Sequence, residues 1–312
     1  MTDESVEVIE AEITPHAPGI DNVRGALWML ASALAFTVST TLIKYLGDGY
    51  PAALQGFYRQ LAGFLVLLPW MIRGYPKVFH TSRLGILLFR SGAGAVALIM
   101  SFYSYQKMPL ADANALSFTR TLWLVPLAFF VLREKLGPLR IGAALVGFLG
   151  VLIILHPTGH GITLGLPQVA GLAAAFLFAM TITGMKVMTR DHSPMTLLVY
   201  AAGLGLIFAT PPALFVWRWP SLPDLGLLAA MGVSGTITQA CYIKGMAIGD
   251  AGAMAPIDYT RLVFATVAGV LLFQEIPGWP TIIGAAIVVG STLFITLRER
   301  HLARRRLPVV VR

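Results

Sequence analysis

Ten apolar runs, each close to the length of a membrane span, follow one another along this chain with only short polar breaks between them. They cover about 24–46, 52–72, 84–106, 108–132, 138–156, 164–188, 194–216, 222–244, 246–273 and 278–298. An α-helix rises about 1.5 Å per residue, so about 20 apolar residues match the hydrocarbon core of a bilayer. In lipid, each segment must pair its own backbone N–H and C=O groups, which makes helices the expected form of every run. The breaks hold turn-forming residues such as Gly47-Asp48-Gly49, Asp191-His192-Ser193-Pro194 and Gly278-Trp279-Pro280. They leave no room for a folded domain outside the membrane. The pattern predicts an all-α integral membrane protein with ten transmembrane helices.

Composition supports this class and excludes others. Of the 312 residues, 56% are hydrophobic and 12% charged, against about 25% charged in an average soluble domain. A core of this size cannot hide so much apolar surface from water, so lipid must cover much of it. The single Cys241 excludes a disulfide scaffold and a cysteine metal site, and the six histidines lie in tails or at segment ends. No metal centre and no cofactor are expected.

A net charge of +8 fits nucleic-acid binding only until the basic residues are placed. With the N-terminus in the cytoplasm, sixteen Lys and Arg fall inside and three (Lys44, Lys107, Arg218) fall outside; Arg59, Arg90, Arg120 and Arg261 lie within spans. This positive-inside bias predicts a multi-pass inner (plasma) membrane protein with both termini cytoplasmic. The basic tail 299–312 then anchors on anionic lipid, and no nucleic-acid partner is expected. Residues 1–23 carry six acids and no Lys or Arg, the reverse of a signal peptide, so the first span is retained and the tail is expected to be disordered. Trp28, Trp70, Trp217, Trp219 and Trp279 lie near span ends, where an aromatic belt belongs, whereas Trp123 lies deep in the fourth span.

The chain is also doubled. Ala31–Lys44 aligns with Ala173–Lys186, Asp112-Ala113 with Asp250-Ala251, and Glu134 with Glu275. Ile141-Gly142-Ala143-Ala144 aligns with Ile283-Gly284-Ala285-Ala286. Each copy, 24–156 and 164–298, holds five predicted spans. Five is odd, so the copies cross the membrane in opposite senses. Inverted repeats are a transporter architecture, with cargo bound near the midplane where the repeats meet.

Laid out in order, these features resemble the EamA-type ten-span members of the drug/metabolite transporter superfamily. The resemblance spans about 25–298. It rests on a small-residue span ending in Lys in each half (Lys44, Lys186), Pro51 followed by Phe57-Tyr58-Arg59, and Leu110-Ala111-Asp112-Ala113. Pro126 and Glu134 follow, then a glycine-rich span with Gly142, Gly147 and Gly150. The second half keeps Glu275, Gly284 and Gly290 but has Ala202 where Arg59 stands, and Pro256 lies near its span's middle instead of matching Pro126. The resemblance implies carriage of small organic solutes such as amino acids, vitamins or S-adenosylmethionine, with no shared ligand signature.

Charged groups at bilayer depth each need a partner or a task. Arg120 and Asp258 are repeat equivalents, each about 18 Å into its span. Either they line the central site, with Arg120 as an anion anchor, or they form a structural ion pair; Asp258 also has Arg261 one turn away. Trp123, one turn beyond Arg120, either stacks a planar cargo or fills the core. Arg59 belongs to the cavity or reaches the headgroups, and Arg90 is expected to reach the headgroups. Gln239 and Tyr242 form a polar wall or bond between helices, and Tyr259 is a further wall candidate. Lys44 and Lys186 snorkel or gate; Glu134 and Glu275 brace turns. Ala143-xxx-Gly147 and Ala286-xxx-Gly290 permit close packing within the monomer or in a homodimer.

No GxxxxGK[ST], GxSxG, HExxH or paired-carboxylate motif appears, so no enzyme is expected. The expectation is a gradient-driven carrier working by alternating access on a small-molecule substrate, anionic or zwitterionic given the intramembrane arginines. The first reading is an exporter of amino acids or related metabolites. The second is an importer of a vitamin or nucleoside-like compound of the riboflavin or S-adenosylmethionine type, and more remote readings are a channel or a membrane scaffold.

Overall fold

A computed structural model describes residues 21–47, 49–73, 81, 83–131, 133, 137–155, 165–188, 194–249 and 251–306. Glu134, Asp250, the 156–164 loop, most of the acidic tail and residues 307–312 lie outside them, as does the side chain of Lys186. The described residues form eleven helices and no strand. These are α1 (Asn22–Tyr45), α2 (Ala52–Arg73), α3 (Leu84–Lys107), α4 (Leu110–Phe130), α5 (Pro138–Ile154), α6 (Leu166–Met188), α7 (Pro194–Phe215), α8 (Leu222–Ile248), α9 (Ala251–Asp258), α10 (Thr260–Phe273) and α11 (Trp279–Arg306).

Seven stretches among the described residues are long and apolar enough to cross a membrane: α1, α3, most of α6 and α7, α8, Pro256–Phe273 and Trp279–Arg298. Helix α5 is apolar but shorter. Helices α2 and α4 are diluted by Arg59 and Gln60, and by Asp112, Asn114 and Arg120. Large apolar side chains such as Leu145, Phe130 and Leu271 stand on the outside, as in a protein whose solvent there is lipid. The chain is an all-helical, multi-pass membrane protein.

The continuous ninth span expected over 246–273 is not what forms. Helix α8 runs on to Ile248, and α9 and α10 are separate, with Tyr259 between them. Pro256, inside α9 and three residues before Tyr259, lacks an N–H and so removes one bond from the helical ladder. The ladder there tightens into i→i+3 bonds, Tyr259 N to Pro256 O at 3.3 Å and Leu262 N to Tyr259 O at 3.0 Å.

Contacts between the two parts of the chain come in matched sets. Helix α1 packs on α8 and α3 on α6; α4 packs on α6 while α1 packs on α9 and α10; α2 meets α7, and α5 meets α11. The α5–α11 crossing depends on two glycines. A Cβ at Gly150 would lie 2.8 Å from the Gly284 carbonyl oxygen, and one at Gly284 would strike Ile154 at 2.6 Å. Close approach within the chain is therefore made at Gly150, three residues past Gly147, and at Gly284, two residues before Ala286. Gly147 packs on Leu122 of α4, and Ala286 and Gly290 face outward.

One end of the bundle is held by a set of polar ties. Lys44 at the end of α1 forms an ion pair with Glu275 and donates to the Met108 carbonyl at 2.6 Å. The other Glu275 carboxylate oxygen accepts from Leu110 N at 3.0 Å, so α1, the α3–α4 turn and the α10–α11 connection are joined at one point. Tyr50 OH donates to Asp224 at the start of α8 at 2.8 Å. Lys44 therefore does not snorkel, because the half-buried Glu275 carboxylate claims it. Gln274, with φ 57°, reverses the chain to deliver Glu275 here. The other non-glycine residue with positive φ among those described is Arg133, just before Glu134.

Candidate functional site

Two polar regions interrupt the apolar interior. The first is a cavity of about 590 Å³ walled by α2, α3, α6, α7 and α8, within the ~300–1,000 Å³ common for small-molecule sites. Helix α2 contributes Arg59, Gln60 and Leu67, helix α3 Arg90 and Gly94, helix α6 Thr181, helix α7 Ala202, and helix α8 Gln239 and Ile243. Val66 and Leu67 lie near the end of α2, Arg90 and Leu198 near the starts of α3 and α7, and Ile243 near the end of α8. The cavity thus extends away from the Lys44–Glu275 end toward the end where α1 begins.

Arg59 and Arg90 are its charged groups, and no Asp or Glu is among the lining residues described. The Arg59 guanidinium lies across α8 at Gly235, where a Cβ would overlap its nitrogens. Arg90 Nε donates to the Thr181 carbonyl at 3.3 Å. Arg90 therefore points inward and not to the headgroups, because α3 packs on α6 and presents this face to it.

The second region surrounds the α9–α10 break. Asp258, the last residue of α9, lies 2.8 Å from Arg261 and 3.8 Å from Arg120 on α4. Arg261 is buried; it donates to Ser32 Oγ at 3.3 Å, and Ser32 in turn donates to the Thr238 carbonyl at 2.9 Å. Its guanidinium also sits over the rings of Phe36, at 4.8 Å, and Tyr242, at 5.5 Å. Tyr259 OH donates to Thr292 on α11 at 2.6 Å, and its ring meets Phe118 at 4.9 Å. Three charges, two of them positive, and the bonds around them thereby tie α1, α4, α8 and α11 to α9 and α10 at the break.

The residues proposed from sequence thus fall into three groups. Arg59 and Gln239 face the cavity. Arg120, Asp258, Tyr259, Arg261 and Tyr242 belong to the network at the break, so Gln239 and Tyr242 face different regions. Trp123 is edge-on to Phe148 at 4.8 Å and Phe176 at 5.2 Å, an aromatic cluster within the helix packing. Sequence reasoning assigned Arg90 to the surface. The signal that would have corrected this is its place on the face of α3 that also carries Gly94 and Leu98.

Comparison with known proteins adds the remaining observation. The family model described as "EamA-like transporter family" matches the chain twice, at 23–156 and 166–297. Among curated relatives, an "S-adenosylmethionine uptake transporter" of Rickettsia prowazekii is 29% identical over 279 residues, covering 89% of this chain and 94% of its own. A "Riboflavin transporter" of Vibrio cholerae is 30% identical over 288 residues, covering 91% and 96%. The human "Solute carrier family 35 member G1" is 27% identical over 93% of this chain and 82% of its own. A solved crystal structure, 20% identical, superposes with a TM-score of 0.58 over 92% of this chain and 98% of that one, which is a likeness of fold. An apolar bundle with a chamber inside it, matched twice by one family model, places the chain in the EamA-like transporter family of the drug/metabolite transporter superfamily, as a membrane transporter.

Proposed function

We propose that the protein imports a small vitamin- or nucleoside-like metabolite by alternating access, with the 590 Å³ cavity as its cargo chamber. That cavity carries the proposal, because its walls come from both parts of the chain and it reaches only one end of the bundle. The name of one relative, an S-adenosylmethionine uptake transporter, supports import over the export of amino acids expected first from sequence, and that of another, a riboflavin transporter, supports a vitamin-like cargo. In this reading α2, α4 and α5 also cross the membrane, giving ten spans in two five-span repeats of opposite sense.

Three observations support the inversion. The helix contacts pair off by exchange of the two halves. Arg133 and Gln274, at equivalent repeat positions, share a positive φ, 52° and 57°. The start of α4 bonds to Glu275, just past the end of α10, as expected of equivalent elements of opposite sense. Discontinuous helices near the midplane, such as α9–α10, recur at the sites of such carriers.

Radiolabelled uptake into proteoliposomes tests the chamber. Ala202→Trp, which puts an indole into the cavity, is expected to abolish uptake while leaving the protein folded. Uptake at wild-type rates in that variant would place the pathway elsewhere. Orientation has its own test. A fluorescent-protein fusion at Arg312 should report a cytoplasmic tail, and a phosphatase fusion in the 156–164 loop should report the outside. The reverse result for either would overturn the orientation expected from the positive-inside bias.

A further inference from the structure

Arg59 has no hydrogen-bond or ion-pair partner among the described residues, although it faces a chamber at membrane depth. Arg90 shares that chamber and holds one backbone carbonyl through Nε, with no ion pair among the described residues. Three other cations within the bundle are matched to acids among the described residues. Lys44 has Glu275, and Arg261 and Arg120 share Asp258. An arginine stays charged at any physiological pH, so burial does not neutralise these two, and the chamber keeps a local excess of positive charge.

Their depths differ. Arg59 lies about 11 Å along α2 from the tied end, whereas Arg90 lies about 9 Å along α3 from the opposite end. Arg90 thus stands near the mouth and Arg59 toward the floor. At the floor, Gly235 leaves the side-chain space that the guanidinium occupies, so the fork is held in place by packing alone.

We infer that the cargo carries a carboxylate or phosphate, which passes Arg90 at the mouth and is held by the Arg59 guanidinium at the floor. This rests on the chamber being the cargo site and narrows what it takes. A planar guanidinium pairs with two oxygens of either anion at once, and the pair is strong where water is scarce. The carbon skeleton of the cargo then lies along the apolar walls between them. A purely cationic cargo has no counter-charge in this chamber, and a neutral one leaves both arginines unmatched.

The test uses matched pairs that differ in the anion: riboflavin 5′-phosphate against riboflavin, adenosine 5′-monophosphate against adenosine, and L-methionine against its methyl ester. Binding to the purified full-length protein in detergent is read by ligand-induced thermal stabilisation. The first two pairs report phosphate and the third carboxylate. For at least one pair the anionic member is expected to bind on the order of ten- to a hundredfold more tightly. Arg59→Gln should erase that preference, and Arg59→Lys should retain part of it. Arg90→Gln should chiefly reduce the initial uptake rate at low salt. Without ligand, Arg59→Gln should melt at or above the wild-type temperature, since it removes an unmatched charge; a merely structural arginine would lower it.

Equal affinity within every pair, or a preference that survives Arg59→Gln, overturns the inference. Uptake that discriminates anions but persists in Ala202→Trp points instead to a different chamber. The failure of the site and the failure of its charge preference are thereby told apart.

Discussion

Asp258→Ala should be among the most damaging single changes in this protein, lowering both the amount of folded carrier and its transport to background. Asp258 is shared by two arginines, and removing it leaves Arg261, buried against Phe36, Tyr242 and Ser32, with no opposing charge. Breaking one side of a buried pair typically costs about 3–5 kcal/mol, a large part of the 5–15 kcal/mol that holds a typical protein together. Arg120→Ala should cost far less, because it leaves a matched Asp258–Arg261 pair and removes a side chain that is already 34% exposed.

This asymmetry is not what repeat equivalence alone predicts, since a simple Arg120–Asp258 ion pair would make the two residues matter equally and tolerate their exchange. With Arg261 2.8 Å from position 258, an arginine placed there meets a like charge. The Arg120→Asp, Asp258→Arg exchange is therefore expected to stay unstable. The double variant Asp258→Ala, Arg261→Leu should instead recover part of what either single change loses. Thermal aggregation followed by fluorescence-detected size exclusion reads all of these. Normal accumulation and transport by Asp258→Ala would show that the network does not hold the helix break.

The second large effect is expected at the opposite kind of site, the tied end. Lys44→Met leaves Glu275 with only the Leu110 N–H, and Glu275→Gln leaves Lys44 with the Met108 carbonyl. Both should favour an arrangement in which α1, the α3–α4 turn and the α10–α11 connection separate. A loss of about 3 kcal/mol would change the open population about a hundredfold. Cys241 is the only cysteine, so a Cys241→Ser background carrying Ser117→Cys on α4 gives a clean probe from this end. Its labelling by a membrane-impermeant maleimide should accelerate strongly in either variant. An unchanged labelling rate would mean that this ion pair is not what closes the end.

Some of this was readable in the sequence because it depends on local or repeated patterns. Apolar run lengths located most of the helices, but the run over 246–273 holds the end of α8 and the separate α9 and α10. Repeat arithmetic put Arg120 and Asp258 at one depth, and they do meet. Other features depend on packing between distant segments, which periodicity does not encode. Lys44 and Glu275 were each noticed, yet their pairing spans 231 residues and joins positions that are not repeat equivalents. Arg90 looked like a headgroup anchor because distance to a helix end says nothing about which neighbour its face meets. Pro256 was visible, but Pro126 sits inside an unbroken α4, so proline alone did not decide whether a helix would break.

The unmatched arginines of the chamber carry an electrical consequence. Cells hold their interior negative, and moving one elementary charge across 100 mV is worth about 2.3 kcal/mol. A carrier whose empty chamber is positive is biased by that voltage toward whichever state places the chamber nearer the cytoplasm, and an anionic passenger cancels part of the bias. Membrane potential would then set how long the empty protein waits on each side, and the charge of the passenger would set whether a loaded cycle moves net current.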